Sequence, residues 1–148
     1  LVRYVPGALV DTSLDVTAAL LPFAAASTLE GRTLSGLGDD SGIDGVIVRF
    51  TGFSADGSAE WWIALPPGVT TFTLPTLPAA WRDPLAFVER FVDVYYYDSD
   101  FTAGYPAFRA LVHTTDPHDP FGYLDTAPTG ATGVARVSIG RLTSVGRP

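Results

Sequence analysis

The sequence contains no cysteine, methionine, lysine, asparagine or glutamine. Without cysteine, the chain has no disulfide framework, no thiol nucleophile and no thiolate ligand for a metal. These absences, together with abundant alanine, glycine, proline and aspartate, are typical of a GC-rich coding sequence. The alternative is selection for a harsh external environment, because thioethers oxidise and side-chain amides are thermolabile.

Positive charge and long apolar runs are also scarce. The 148 residues include 9 basic side chains, all of them arginine, and 16 acidic ones, which gives a net charge of -7. Single, scattered arginines on an acidic chain disfavour nucleic acid or an anionic membrane as a partner, since phosphate recognition requires clustered positive charge. No apolar run reaches the roughly 18 residues of a membrane-spanning helix. The sequence therefore predicts no membrane span.

Apolar residues instead alternate with a period of two, in runs separated by clusters of Gly, Pro, Asp or Ser. Seven such runs occur, at 14–20, 46–50, 61–65, 72–74, 92–96, 108–112 and 135–139, and segments 28–34 and 1–5 are candidates for further strands. Short strands broken by turn residues, without helical patterns between them, predict an all-β fold. We expect a single domain over residues 1–148, an antiparallel β-sandwich of about seven to nine strands with at most one short helix.

Local signals refine this expectation. Asp83 followed by Pro84 predicts an N-cap and a helix of one or two turns. The loop at 54–58 contains Gly57 between two strand patterns, which predicts a hairpin. The alternation predicts a common core that contains Val48, Trp61, Phe72, Val94 and Val137.

One segment resembles a known kind of module. The run Trp61-Trp62-Ile63-Ala64-Leu65 is followed by a Pro-Gly turn, by Thr-Thr-Phe-Thr-Leu-Pro and by a Phe-Val-Asp-Val-Tyr-Tyr-Tyr strand. This order is similar to the latter half of a fibronectin type III or immunoglobulin-like module, and to domains of secreted bacterial lipoproteins. The likeness covers residues 46–97, about a third of the chain. It implies a non-catalytic spacer or binding module at the cell surface and assigns no functional residue.

Acidic loops provide the first candidate site. The residues concerned are Asp39, Asp40, Asp44, Asp98 and Asp100. Calcium takes six to eight oxygen ligands, and closely spaced aspartates at one end of a sandwich can supply them. The spacing is not that of an EF-hand, and solvated turns explain the same pattern. We therefore expect no cofactor, with calcium at these loops as the alternative.

A second polar cluster contains both histidines. It consists of His113, Asp116, His118 and Asp119, interrupted by prolines. Two imidazoles with a carboxylate can bind a first-row metal or contribute to a hydrolase, but a plain proline-rich loop has the same composition. No serine lies in a Gly-x-Ser-x-Gly elbow. We therefore expect no enzyme, with a hydrolase as an alternative.

Aromatic side chains form the third candidate site. If Trp61 faces the core, alternation turns Trp62 outward, and Tyr95 and Tyr97 likewise. Trp81 is expected in a loop. Exposed rings at these four positions can bind a sugar or a partner protein, unless both faces of the sheet are covered.

The function expected from these observations is a non-enzymatic structural, adhesive or assembly role. We expect an extracellular or outer-cell-surface bacterial domain whose partner is a protein or a glycan. Leu1 in place of methionine suggests that a signal segment was removed or that the chain is a fragment. A calcium-dependent carbohydrate-binding module is the main alternative. The lightly charged segment 134–142 and the apolar segment 1–5 further predict self-association by strand pairing, unless both strands close the sheets of their own domain.

Overall fold

Alternating apolar residues form the long central strands of a two-sheet structure. The computed structural model describes residues 2–4, 21, 27–38, 42–114 and 132–142. Within them lie strands β1 (Val2–Tyr4), β2 (Thr28–Glu30), β3 (Thr33–Ser35), β4 (Gly45–Ser54), β5 (Gly57–Leu65), β6 (Thr71–Thr73), β7 (Glu89–Ser99) and β8 (Gly133–Leu142), and helix α1 (Gly104–Thr114). The larger sheet has the order β1-β8-β7-β4-β5 and the smaller one β2-β3-β6, with every pair antiparallel. The predicted all-β sandwich is confirmed.

The main core lies between the two sheets. Every second residue of β4 and β7 faces it, including the fully buried Val48, Phe50 and Val94, and the smaller sheet contributes Leu34. Trp61 and Phe72 pack at the margin of this core and are half-buried.

Val137 corrects the predicted core. It packs with Ile47 and Tyr95 on the opposite face of the larger sheet. Alternation shows which residues share a face but does not show which face meets the second sheet. Here both faces of the larger sheet are covered in part. The alternation in β8 is therefore compatible with Val137 on either face.

The tight turns follow the sequence signals. Gly57 has a φ of 128°, which favours glycine, and closes the β4–β5 hairpin opposite Ser54. Asp83 accepts a hydrogen bond from the Leu85 N–H at 3.0 Å and caps a single 3-10 turn, Pro84–Ala86.

Helix α1 is a correction to the strand predicted at 108–112. Pro106 stands in the first turn of the helix, where its missing N–H costs no hydrogen bond. Tyr105, Phe108 and Leu111 recur every three residues and pack against the sheet on one face of the helix. An alternating triplet inside a short apolar run fits both a strand and a helix, so the period alone could not separate them. None of the helices in the described residues is long and apolar enough to cross a membrane.

The terminal strands pair within their own chain. Strand β8 pairs with β7 along one side and with β1 at its start, where Val2 lies opposite Ala135. Self-association by strand pairing stays a prediction. The strand predicted at 14–20 lies outside the described residues.

Candidate binding groove on the outer sheet face

The outer face of the larger sheet is the face turned away from the smaller sheet. Helix α1 covers one end of it. Gly45 permits the close approach, because a Cβ at this position would lie 2.3 Å from the Phe108 ring. The Tyr105 hydroxyl donates a hydrogen bond to the Ala64 carbonyl at 3.1 Å and joins the helix to β5.

Stacked aromatic rings run under the helix. Trp62 and Tyr95 stack with centroids 5.9 Å apart, and Tyr95 and Tyr97 stack at 6.4 Å. Phe108 of α1 lies 5.5 Å from the Tyr97 ring. Tyr95 and Tyr97 point outward as predicted, but they are only 3% and 4% exposed. The expectation that these two rings are accessible is thus corrected, because the helix covers them.

Beyond the helix, the outer face is charged. Asp93 sits at the centre of β7, is 1% exposed, and lies opposite Arg49 of β4 and Arg141 of β8. Its Oδ2 accepts hydrogen bonds from Arg49 Nε at 3.0 Å, from Arg141 Nη2 at 3.2 Å and from Arg49 Nη2. Its Oδ1 accepts a hydrogen bond from Arg141 Nε at 2.5 Å. One buried carboxylate thereby binds two guanidinium groups across three strands.

The electrostatics of this network follow from its geometry. Burial opposes ionisation of Asp93, but hydrogen bonds and charges from Arg141 and Arg49 outweigh it and hold its pKa below the ordinary aspartate range. The same carboxylate raises the pKa of Arg141. Burial, and secondarily the charge of Asp93, raises the pKa of Tyr95. The ion pairs are therefore intact at neutral pH.

Aromatic rings flank both arginines. The Arg49 guanidinium carbon lies 5.2 Å from the centroid of Trp62, and that of Arg141 lies 5.8 Å from the centroid of Phe91. Phe53 packs edge to face on Phe91 at 6.1 Å. These cation–π contacts fix the planes of the guanidinium groups beside the apolar rings.

A groove of about 260 Å³ opens over this part of the sheet. It is lined by Arg49, Thr51, Phe53, Glu60, Phe91, Asp93 and Arg141. We call it the outer-face groove. Its residues come from strands β4, β5, β7 and β8, so a rigid sheet positions all of them.

The acidic residues predicted to bind calcium are only partly described. Asp44 Oδ2 accepts the Ser99 N–H at 2.8 Å, Asp98 lies 3.3 Å from Arg136 Nε, and Asp100 Oδ2 accepts the Val134 N–H at 2.9 Å. Burial raises the pKa of Asp44 against the opposing Ser99 hydrogen bond, and the charges of Asp98 and Asp100 raise it further. Asp39 and Asp40 lie outside the described residues. The calcium site stays a prediction.

The histidine cluster falls almost entirely outside the described residues. His113 belongs to the last turn of α1, whereas Asp116, His118 and Asp119 are not described. Within the described ranges, no three His, Cys, Asp or Glu side chains come together as metal ligands.

Trp81, the last predicted ligand-binding residue, is 63% exposed and meets Trp61 edge to face at 6.4 Å. It adjoins a separate surface pocket of about 360 Å³ lined by residues 82–83 and 86–88 with Ser54 and Asp56. Trp62, in contrast, is half-buried beside the outer-face groove. The two tryptophans therefore lie at different sites.

Sequence reasoning missed the Asp93 network. The sequence did contain a signal. Asp93 is the one charged residue in the run 91–97, whose other outward positions are all aromatic. Only the register of β4, β7 and β8 shows that Arg49 and Arg141 are its partners.

Comparison of the chain with protein-family models, with curated proteins and with solved structures found no match. The resemblance to fibronectin type III and immunoglobulin-like modules thus stays a prediction. The described residues form an all-β, two-sheet structure whose outer face has a polar and aromatic groove.

Proposed function

We propose that this chain is a non-catalytic binding domain with an adhesive role at the bacterial cell surface, and that it contacts its partner through the outer-face groove. The observation that carries the proposal is the groove itself. Fixed charges, a buried ion-pair network and the 42% exposed ring of Phe53 converge there on a rigid sheet. Concave sites that combine apolar walls with a few oriented polar groups are typical of ligand recognition.

The chemistry of Asp93 supports binding over catalysis. A general acid or base functions best when its pKa lies near the working pH. Asp93 has a lowered pKa and is held by Arg49 and Arg141, so it stays ionised and fixed at neutral pH. Such a carboxylate orients the two guanidinium groups but is a poor proton donor.

A polymer-retention experiment tests this proposal. The full chain is immobilised, and surface plasmon resonance measures retention of dextran and mannan as neutral polysaccharides, alginate as an anionic one and gelatin as a polypeptide. We expect at least one polymer to be retained. Phe53→Ser should weaken that retention, because it removes the most exposed ring of the groove. The matched control is Val88→Ser, which changes an 88% exposed residue outside the groove.

Three results would contradict the proposal. One is that no polymer is retained. Another is that Phe53→Ser and Val88→Ser change the retention equally. The third is hydrolysis of a polymer, which would favour the hydrolase alternative. It is measured as new reducing ends or free amines when the polymers are incubated with the protein. The expected location at the cell surface is tested separately, by fractionation of cells that express the tagged chain.

A further inference from the structure

Two oxygen atoms at the floor of the outer-face groove have no hydrogen-bond partner in the part of the chain that the structure describes. Thr51 is 9% exposed, and its Oγ1 has no partner among the described residues. Glu60, directly opposite Thr51 across the β4–β5 ladder, has an equally unpartnered Oε1, whose nearest cation is Arg49 Nη1 at 3.8 Å. Buried polar atoms are nearly always hydrogen-bonded, so each exception requires an explanation. A ligand that supplies the missing partners is one such explanation.

The charges of the groove restrict what this ligand can be. Arg49 and Arg141 are balanced by Asp93 and Glu60, two cations against two anions. Asp93 already occupies both guanidinium groups. The groove therefore has no surplus positive charge for a phosphate or a carboxylate, which would also approach the Glu60 carboxylate.

The hydrogen-bonding groups indicate a ligand that both donates and accepts. The Glu60 oxygen only accepts, the Thr51 hydroxyl does both, and the arginines only donate. A hydroxyl group matches all three kinds of partner. The Arg141 side chain is 54% exposed, so part of its guanidinium faces solvent. Thr51 and Glu60 both line the groove, but the two oxygens are shielded from solvent, so ligand binding at this site requires a side-chain rotation that turns them toward the groove.

The apolar walls add a second requirement. Phe53 and Phe91 line the groove beside the polar floor and present ring surface to it. The volume of about 260 Å³ is below the roughly 300–1,000 Å³ of pockets for drug-sized ligands. A single sugar ring has this size, one apolar C–H face and a rim of hydroxyls.

We propose that the outer-face groove is a subsite for one residue of a neutral saccharide. Thr51 and Glu60 hydrogen-bond its hydroxyls, Arg141 donates to its rim, and Phe53 and Phe91 pack against its C–H face. The inference rests on the proposed binding function and narrows its ligand to a class. It involves no metal, in contrast to a calcium-dependent site.

Nuclear magnetic resonance titration tests the subsite. The full chain is titrated with glucose, mannose, galactose and N-acetylglucosamine, and in parallel with glucuronate and inorganic phosphate, while the Nε–H resonances of Arg49 and Arg141 are followed. We expect at least one neutral sugar to shift these resonances in a saturable way. Thr51→Val keeps the shape of the side chain and removes only the unpartnered hydroxyl. It should weaken binding roughly two- to tenfold, the usual effect of one hydrogen bond, without lowering the melting temperature.

Thr71→Val on β6 is the matched control, since this exposed residue belongs to the smaller sheet, and it should bind like the wild type. The inference is overturned if no neutral sugar shifts the two arginines at high concentration, or if only glucuronate or phosphate does. It is also overturned if Thr51→Val binds as the wild type does. Retention of gelatin or alginate through Phe53 would then leave the binding function standing while ruling out a neutral saccharide as the ligand.

Discussion

Arg49 and Asp93 face each other across β4 and β7, and the arginine spans from the buried carboxylate to the ring of Trp62. The pair lies at the border between the helix-covered part of the outer face and the groove. Its stability therefore affects both the packing of the sheet and the shape of the site. Buried ion pairs stabilise little in net terms, but removal of one partner is costly because the other charge remains.

Asp93→Asn tests how much the Asp93 ion pairs contribute to stability. The substitution leaves Arg141 without its carboxylate partner and Arg49 with the more distant Glu60 at 3.8 Å, and we expect it to lower the free energy of unfolding by about 3 kcal/mol. Urea denaturation measures the change. Asp56→Asn, at an exposed hairpin position, is the control and should change stability by less than about 0.5 kcal/mol. A loss no larger than that of the control would mean that the network contributes nothing to stability.

The pH dependence of stability provides an independent test of Asp93. Its folded pKa is lowered, so the unfolded state binds more protons and stability rises with pH. The contribution is complete above the ordinary aspartate pKa of about 3.9 and is lost as the pH falls through the lower folded value. Denaturation curves from about pH 2 to 6 should show a steeper acid loss for the wild type than for Asp93→Asn. Parallel profiles would argue against the lowered pKa.

Asp44 is expected to behave in the opposite way. The pKa of Asp44 in the folded protein is raised, first of all by burial, so the folded state binds the proton more readily than the unfolded state does. Ionisation of Asp44 therefore destabilises the folded protein as the pH rises above the ordinary aspartate pKa. Asp44→Asn removes the charge and keeps an acceptor for the Ser99 N–H. We expect the variant to be more stable than the wild type at pH 7, with an advantage that disappears below about pH 4. Thermal unfolding at both pH values measures this, and a pH-independent difference would contradict it.

Gly45 determines how closely α1 approaches the sheet. A methyl group there would overlap the Phe108 ring at 2.3 Å, and we expect Gly45→Ala to destabilise the protein by about 1–3 kcal/mol. A double-mutant cycle with Phe108→Leu provides the control, since a smaller side chain relieves the overlap. The combined loss should be clearly less than the sum of the two single losses. Additive losses would show that the helix adjusts its position independently of Phe108.

The sequence predicted the sheets well because their signals are local. The alternation in β4, β5 and β7 and the Gly57 turn each lie within a few residues of one another. Helix α1 and the outer-face groove could not be predicted in the same way. The helix is held over the sheet by contacts with Gly45 and Ala64, which lie far from it in the sequence, and the partners of Asp93 follow only from strand register. Alternation separates two faces, whereas what covers each face is a tertiary property.

Trp61 and Trp62 provide a test of alternation against tertiary packing as predictors of stability. Alternation alone predicts a large cost for truncating Trp61, which faces the core, and a much smaller one for Trp62. In the structure both rings are half-buried: Trp61 packs at the core margin against Trp81, and Trp62 stacks on Tyr95 and under Arg49. We therefore expect Trp61→Ala and Trp62→Ala to lower the free energy of unfolding by similar amounts, about 2–3 kcal/mol each, below the loss for a fully buried ring. Urea denaturation measures both losses, with Trp81→Ala, the truncation of an exposed ring, as the reference. A near-zero loss for Trp62→Ala would mean that the outer face is not packed around Trp62.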